Sequence, residues 1–207
     1  MKAVKYIIVI IAIAFVAYNS VYFKKLDEVK AAKAATTFDA PKYTQIFWDT
    51  KLMPNLNKAI DITKFTAMLS TDSRKTFDNY SHALGIGNIR YFLVSGKGSI
   101  ASINEDDFAI ALDSSNQMIT LVTEYVFGNA VRDATGLINI NEFSNTMDFN
   151  NVSAELNKII RQNVLPSFMQ QAKKGDKIEF VGAIELNKEH LDLSHIEVIP
   201  VEIKIVQ

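Results

Sequence analysis

With 207 residues, 48% of them hydrophobic and 22% charged, the chain is long enough for one sizeable core, and its composition excludes long disorder in the body. Six of the 22 basic residues but only two of the 23 acidic ones precede Thr36; the remainder carries 16 basic against 21 acidic residues, which argues against a nucleic-acid partner. The absence of cysteine excludes disulfides, thiolate nucleophiles, thiolate zinc sites and a lipidated cysteine.

The first element in chain order is an apolar segment. Tyr6 to Phe23 reads YIIVIIAIAFVAYNSVYF, without a charge, after Lys2 and Lys5 and before Lys24 and Lys25. At a helical rise of about 1.5 Å per residue it reaches roughly 27 Å, enough for a thin bilayer core. The expectation is a single-pass signal anchor over 6–23, with residues 1–5 cytoplasmic, 24–37 a polar, alanine-rich stalk, and 38–207 a body outside the cytoplasm. Cleavage and a buried core helix are the competing readings. The nearest A-x-A match, Ala32-Lys33-Ala34, is far downstream, and the segment is apolar on all faces. Flanking charge is nearly balanced and does not orient it.

Two helices open the body with the same start signal. Asp39 is an N-cap followed by Pro41, with Phe38 placed to staple onto Tyr43; Asp61 repeats the device with Ile60 and Phe65. Tyr43, Ile46, Phe47, Met53 and Leu56 follow helical spacing, Trp48 lies beside the stripe, and Pro54 bends or ends it. A third helix is expected over Thr71–Leu84, closed by Gly85-Ile86-Gly87. The pattern then alternates. Arg90–Ile103 predicts a strand interrupted by a bulge or bend at Gly96-Lys97-Gly98. Phe108, Ile110 and Leu112, a turn at Asp113–Asn116 and a return over Met118–Phe127 predict a hairpin. Asp176–Leu186 alternates cleanly, and Ile199, Val201, Ile203 and Ile205 do so at the C-terminus, where Pro200 marks an edge or bulge. Between these lies a helix from about Val152, with Leu156, Ile159 and Ile160 inward, kinked near Pro166 and stopped at Lys173-Lys174-Gly175. The sum is an α+β fold: N-terminal helices followed by an antiparallel, OB-like β-barrel with an inserted helix.

Chemistry-bearing residues concentrate in Gly128–Asn151, which holds Arg132-Asp133, Asn139, Asn141, Glu142, Asn145, Asp148, Asn150 and Asn151. An arginine fork with amide donors and acceptors suits a hydroxyl- or carboxylate-bearing ligand. The plainer alternative, and the favoured one, is an internal Arg132 ion pair with asparagines capping helices and turns. Tyr43 and Trp48 could stack on a sugar ring, although core packing is the commoner fate of such residues. His82, His190 and His195 lack metal-ligand spacing, the stretch lacks the glycine and terminal glutamate of a calcium loop, and no nucleophile elbow, phosphate loop or dinucleotide fingerprint occurs, so no metal or cofactor is expected. The acidic pair Asp106-Asp107 reads as a solvated turn.

Phe38-Asp39-Ala40 with Tyr43, Trp48 and Pro54, then Gly96-Lys97-Gly98, then Gly128, Arg132-Asp133, Phe143, Asn145 and Asn157 resemble a family of uncharacterised bacterial proteins described as predicted periplasmic lipoproteins. The resemblance covers 38–207. The family is a domain of unknown function often encoded beside sugar ABC-transporter genes, and its members commonly carry a lipobox cysteine, which this chain lacks. The resemblance implies a non-enzymatic, envelope-anchored binding or accessory protein, associated with sugar ABC transport, with a sugar or related small molecule and transporter components as partners beside the membrane. The ligand-binding residues expected on these grounds are Arg132, Asp133, Asn141, Asn145, Asn157, Trp48 and Tyr43. The alternatives are an assembly subunit binding another envelope protein and, third, a hydrolase using Asp133 or Glu142.

Overall fold

The computed structural model describes Tyr6, Ile7, Ile10, Ile11, Ile13, Phe15, Val16, Tyr18, Lys25 and residues 38–84, 87–115 and 117–206. By contacts the chain divides into two compact units, Met1–Phe38 and Asp39–Gln207.

In the first unit, the described residues between Tyr6 and Tyr18 are helical and exposed. Among the described residues, however, no helix is long and apolar enough to cross a membrane. Spanning takes about twenty consecutive apolar residues, whereas the longest uninterrupted α-helix described, Thr146–Ile159, has 14 residues and buries only one face. This finding corrects the transmembrane signal anchor and the single-pass placement expected from the sequence. Residues 1–5, the rest of the apolar segment and all of the proposed stalk except Lys25 lie outside the described residues.

The second unit opens with helix α1, Ala40–Phe47, in which the Asp39 carboxylate accepts from the Lys42 N–H at 3.0 Å and Pro41 occupies the first turn. The helix widens into a π turn, Trp48–Leu52, and tightens into a 3₁₀ turn, Met53–Lys58. Thr44, Phe47, Trp48, Leu52 and Leu56 face inward, whereas Ile46, expected inside, is 54% exposed, because the buried face runs through Ala40, Thr44 and Phe47. After the two-residue strand β1, Ile60–Asp61, helix α2, Ile62–Thr71, starts on the Asp61 cap. Helix α3, Ser73–Tyr80, starts on an Asp72 cap and is shorter than the sequence suggests, because Ser81 is already extended and His82 bridges to Tyr91. The expected stop at Gly85-Ile86 lies outside the described residues.

The barrel comprises β2 Ile89–Ile103, β3 Asp107–Leu112, β4 Met118–Val122, β5 Lys177–Asn187 and β6 Glu197–Val206. Antiparallel pairings β2–β3, β3–β4, β5–β6 and β2–β5, with the parallel pair β4–β6, close five strands on themselves; β1 adds a short parallel pairing to β2. Strand β2 does not break at its glycines. It runs in unbroken register with β5 from Ile89↔Asn187 to Ser99↔Lys177, and its irregularity falls later, against β3, between Ile100 and Ser102. The glycines admit close approach instead: a Cβ on Gly96 would lie 2.6 Å from the Phe180 ring, and one on Gly98 would lie 2.5 Å from the Ala111 carbonyl oxygen. Strand β4 ends at Val122, short of the expected Phe127. In β6 the inward phase is Val198 and Pro200, then Val201, because a bulge opposite Val181/Gly182 shifts the alternation; the outward Ile205 corrects the simple pattern.

Between β4 and β5 the chain inserts helix α4, Ala130–Asp133, helix α5, Thr146–Ile159, a π turn, Ile160–Val164, and helix α6, Leu165–Gln171. Helix α5 begins six residues earlier than its apolar periodicity indicates, since Asn145 caps it by accepting from the Asp148 N–H at 2.9 Å. The barrel interior is filled by residues such as Phe92, Ile110, Leu121, Ile178 and Phe180. It is stoppered by Phe65 and Phe77, whose rings lie 4.7 and 5.3 Å from that of Phe92, and by Phe168 against Phe108. The architecture is therefore mixed helices around a closed five-stranded barrel.

Candidate functional site

Helix α4 is a single turn with every residue buried, including Arg132 and Asp133 at 4% and 5% exposure. Two charges can remain there only if each satisfies the other. The guanidinium forks the carboxylate, Nε to Oδ1 at 2.6 Å and Nη2 to Oδ2 at 3.0 Å. Its Nη1 reaches the Phe149 carbonyl at 3.4 Å and the Asn150 side-chain oxygen at 3.3 Å, and its Cζ stacks 3.5 Å from the centre of the Phe149 ring. The pair joins α4 to the first turns of α5.

A second set of contacts holds the loop leading into α4. Along one face of α5 and its π turn, Ser153 donates to the Asn129 side chain at 3.0 Å, Asn157 donates to the Gly128 carbonyl at 2.9 Å, and Arg161 donates to the Val126 carbonyl. These residues are spaced four apart, and residues four apart share a helix face. Tyr91 stands beside this group, with Glu185 as its partner across β2 and β5. Burial first, then the charges of Glu185 and Asp133, push the Tyr91 phenol up, against the opposing pull of Asn129 and Arg132. Tyr91 therefore stays protonated at neutral pH.

This network floors an open cleft of about 360 Å³. Tyr91, Asn129, Arg132, Asp133 and Asn150 supply its polar side, and Leu84, Ile89, Ile140 and Phe149 an apolar one. Of the seven residues singled out from the sequence, the structure brings Arg132 and Asp133 into the cleft. Asn157 is 4% exposed beneath the loop, Asn145 is the α5 cap, and Asn141 is exposed, its N–H turned to the Asn139 side chain. Trp48 is buried in the helical layer. Tyr43 packs edge-on against Phe143 at 5.3 Å and donates to Glu142 at 3.1 Å, and burial together with the Glu142 carboxylate pushes its phenol up to about 12. Tyr91 and Asn129 carried no signal of their own and Asn150 stood out only as one asparagine of the dense polar stretch, whereas the Ser153, Asn157, Arg161 spacing was a readable one. Among the described residues no group of three or more histidine, cysteine or acidic side chains is placed to hold a metal ion.

No curated protein sequence matches the chain. The crystal structure of an OB-fold protein from Thermotoga maritima superposes with a TM-score of 0.74 at 26% identity, covering 83% of this chain and 100% of that one. The likeness agrees with the strand order, in which a meander is joined through an inserted helix to two strands that close the barrel. Residues 11–204 match the family model described as "Predicted periplasmic lipoprotein (DUF2291)", and the chain belongs to that family, whose function is unknown.

Proposed function

We propose that the body is a non-enzymatic binding module of the cell envelope, which seats a small polar solute such as a sugar in the Arg132/Asp133 cleft and serves an ABC-type uptake system as an accessory protein. The observation that carries this reading is the pre-arranged floor. Arg132, Asp133, Asn129 and Asn150 are held by one another and by α5 before any ligand arrives, so binding would cost little ordering of these groups. The cleft's volume and its mix of apolar wall and polar floor suit a mono- or disaccharide. Catalysis by the acidic candidates is disfavoured by their engagements. Both oxygens of Asp133 are taken by Arg132, and Glu142 faces Tyr43 outside the cleft lining.

The test is a thermal-shift and calorimetric screen of sugars and nucleosides. A true ligand at a hundred times its Kd stabilises the fold by about 2.7 kcal/mol. Asn129→Ala and Asn150→Ala should each weaken that ligand by about tenfold through loss of a polar contact. Absence of any saturable response across the panel would sink the proposal.

A further inference from the structure

Beside Glu185, the strand partner of Tyr91, lies a second cavity of about 260 Å³. Tyr125 and Phe127, from the loop after β4, line it while remaining 64% and 61% exposed. Glu185 and Glu197 complete its polar part, and Val122, Ala130, Ala183 and Ile199 its apolar part; no lysine or arginine lines it. Strands β5 and β6 pair at Ala183↔Ile199, and Glu185 and Glu197 lie two residues beyond that last registered pair and both line the cavity, so two like charges are brought close together. Such a pair is destabilising. Glu197 has the imidazole of His195 at 3.1 Å, and neither carboxylate carries a lysine or arginine ion pair among the described residues. Partial burial first, and then the charge of Glu197, push the Glu185 carboxyl up.

We propose that this cavity binds an organic ammonium ion, its charge between Glu185 and Glu197 and its carbon skeleton against Tyr125 and Phe127. Aromatic faces attract a cation, and Phe127 already has the Arg161 guanidinium 5.3 Å from its ring centre. A metal ion fits less well, because hard cations require a shell of oxygens and only two of the eight lining residues, Glu185 and Glu197, bring carboxylates. The loop is poised for the role, since Arg161 holds the Val126 carbonyl between the two aromatic residues.

The experiment titrates the full chain with putrescine dihydrochloride and tetramethylammonium chloride, with 1,4-butanediol and calcium chloride as controls, by calorimetry and by NMR of the Tyr125 and Phe127 rings. The expected result is saturable binding of the ammonium ions alone, reduced about tenfold in Phe127→Ala and in Glu185→Gln. Glu197→Gln provides a control against misfolding: its side chain is 61% exposed, and removing the like-charge contact should raise the Tm of the free protein while weakening binding. Binding of 1,4-butanediol as tight as that of putrescine, displacement by calcium, wild-type affinity in the Glu variants, or no response to either ammonium ion at about 10 mM would each overturn the proposal.

Discussion

Arg132 and Asp133 are neighbours in sequence and partners in space, and the energetics of burial determine how they respond to change. A buried pair stabilises little relative to an apolar one of equal volume, but removing one member strands the other. Asp133→Ala should therefore cost about 3–5 kcal/mol in a denaturant melt, and a double change to a well-packed apolar pair much less. Tyr43 gives a pH-dependent prediction. Its folded-state pKa, pushed up to about 12 from 10.0, means that above pH 10 the unfolded chain releases a proton that the folded one keeps. The Tyr43 contribution is intact below pH 10 and lost as pH rises through the folded value. Melts across that window should decline less steeply in Tyr43→Phe, with phenolate absorbance locating the transition.

Helix α5 links the barrel insert to the site through its polar face. Replacing the buried Asn157 with alanine leaves the Gly128 carbonyl without its side-chain partner and should cost about 1–3 kcal/mol, and Asn145→Ala, which removes the cap, about 1 kcal/mol. The two effects should be additive if the helix transmits no strain between its ends, which a double-mutant cycle would measure. Caps were legible because they are local: Asp39 and Asp61 were read correctly from four-residue windows. The π turns at Trp48–Leu52 and Ile160–Val164 were not, since nothing within those windows distinguishes them from α-helix.

Strand β2 pairs with both β3 and β5, so the barrel has no free edge along it, and its glycines permit the curl. Gly98→Val should disrupt closure, seen as loss of hydrogen-exchange protection along β2, because its side chain meets the Ala111 backbone, which cannot move aside as a flexible side chain can. Alternation and punctuation in the sequence were enough to establish the order of helices and strands, the inserted helix and an OB-like barrel, since these follow from local periodicity and from which faces must be buried. The Gly128–Asn157 stretch was recognisable as polar and dense, but not how its polar groups were allotted. A side chain such as Asn157 reads alike as ligand donor or loop pin until its partner is known. The sequence by itself determined the main helices and strands of the body and which side chains could bear chemistry, because propensity, capping and periodicity act over a few residues. Only the tertiary structure decided that Tyr91 and Glu185 meet across β2 and β5, that Arg132 forks Asp133 at the wall of a cleft, and that Tyr125 and Phe127 stand over two carboxylates, because these meetings depend on strand register and helix phase set by contacts far apart in the chain.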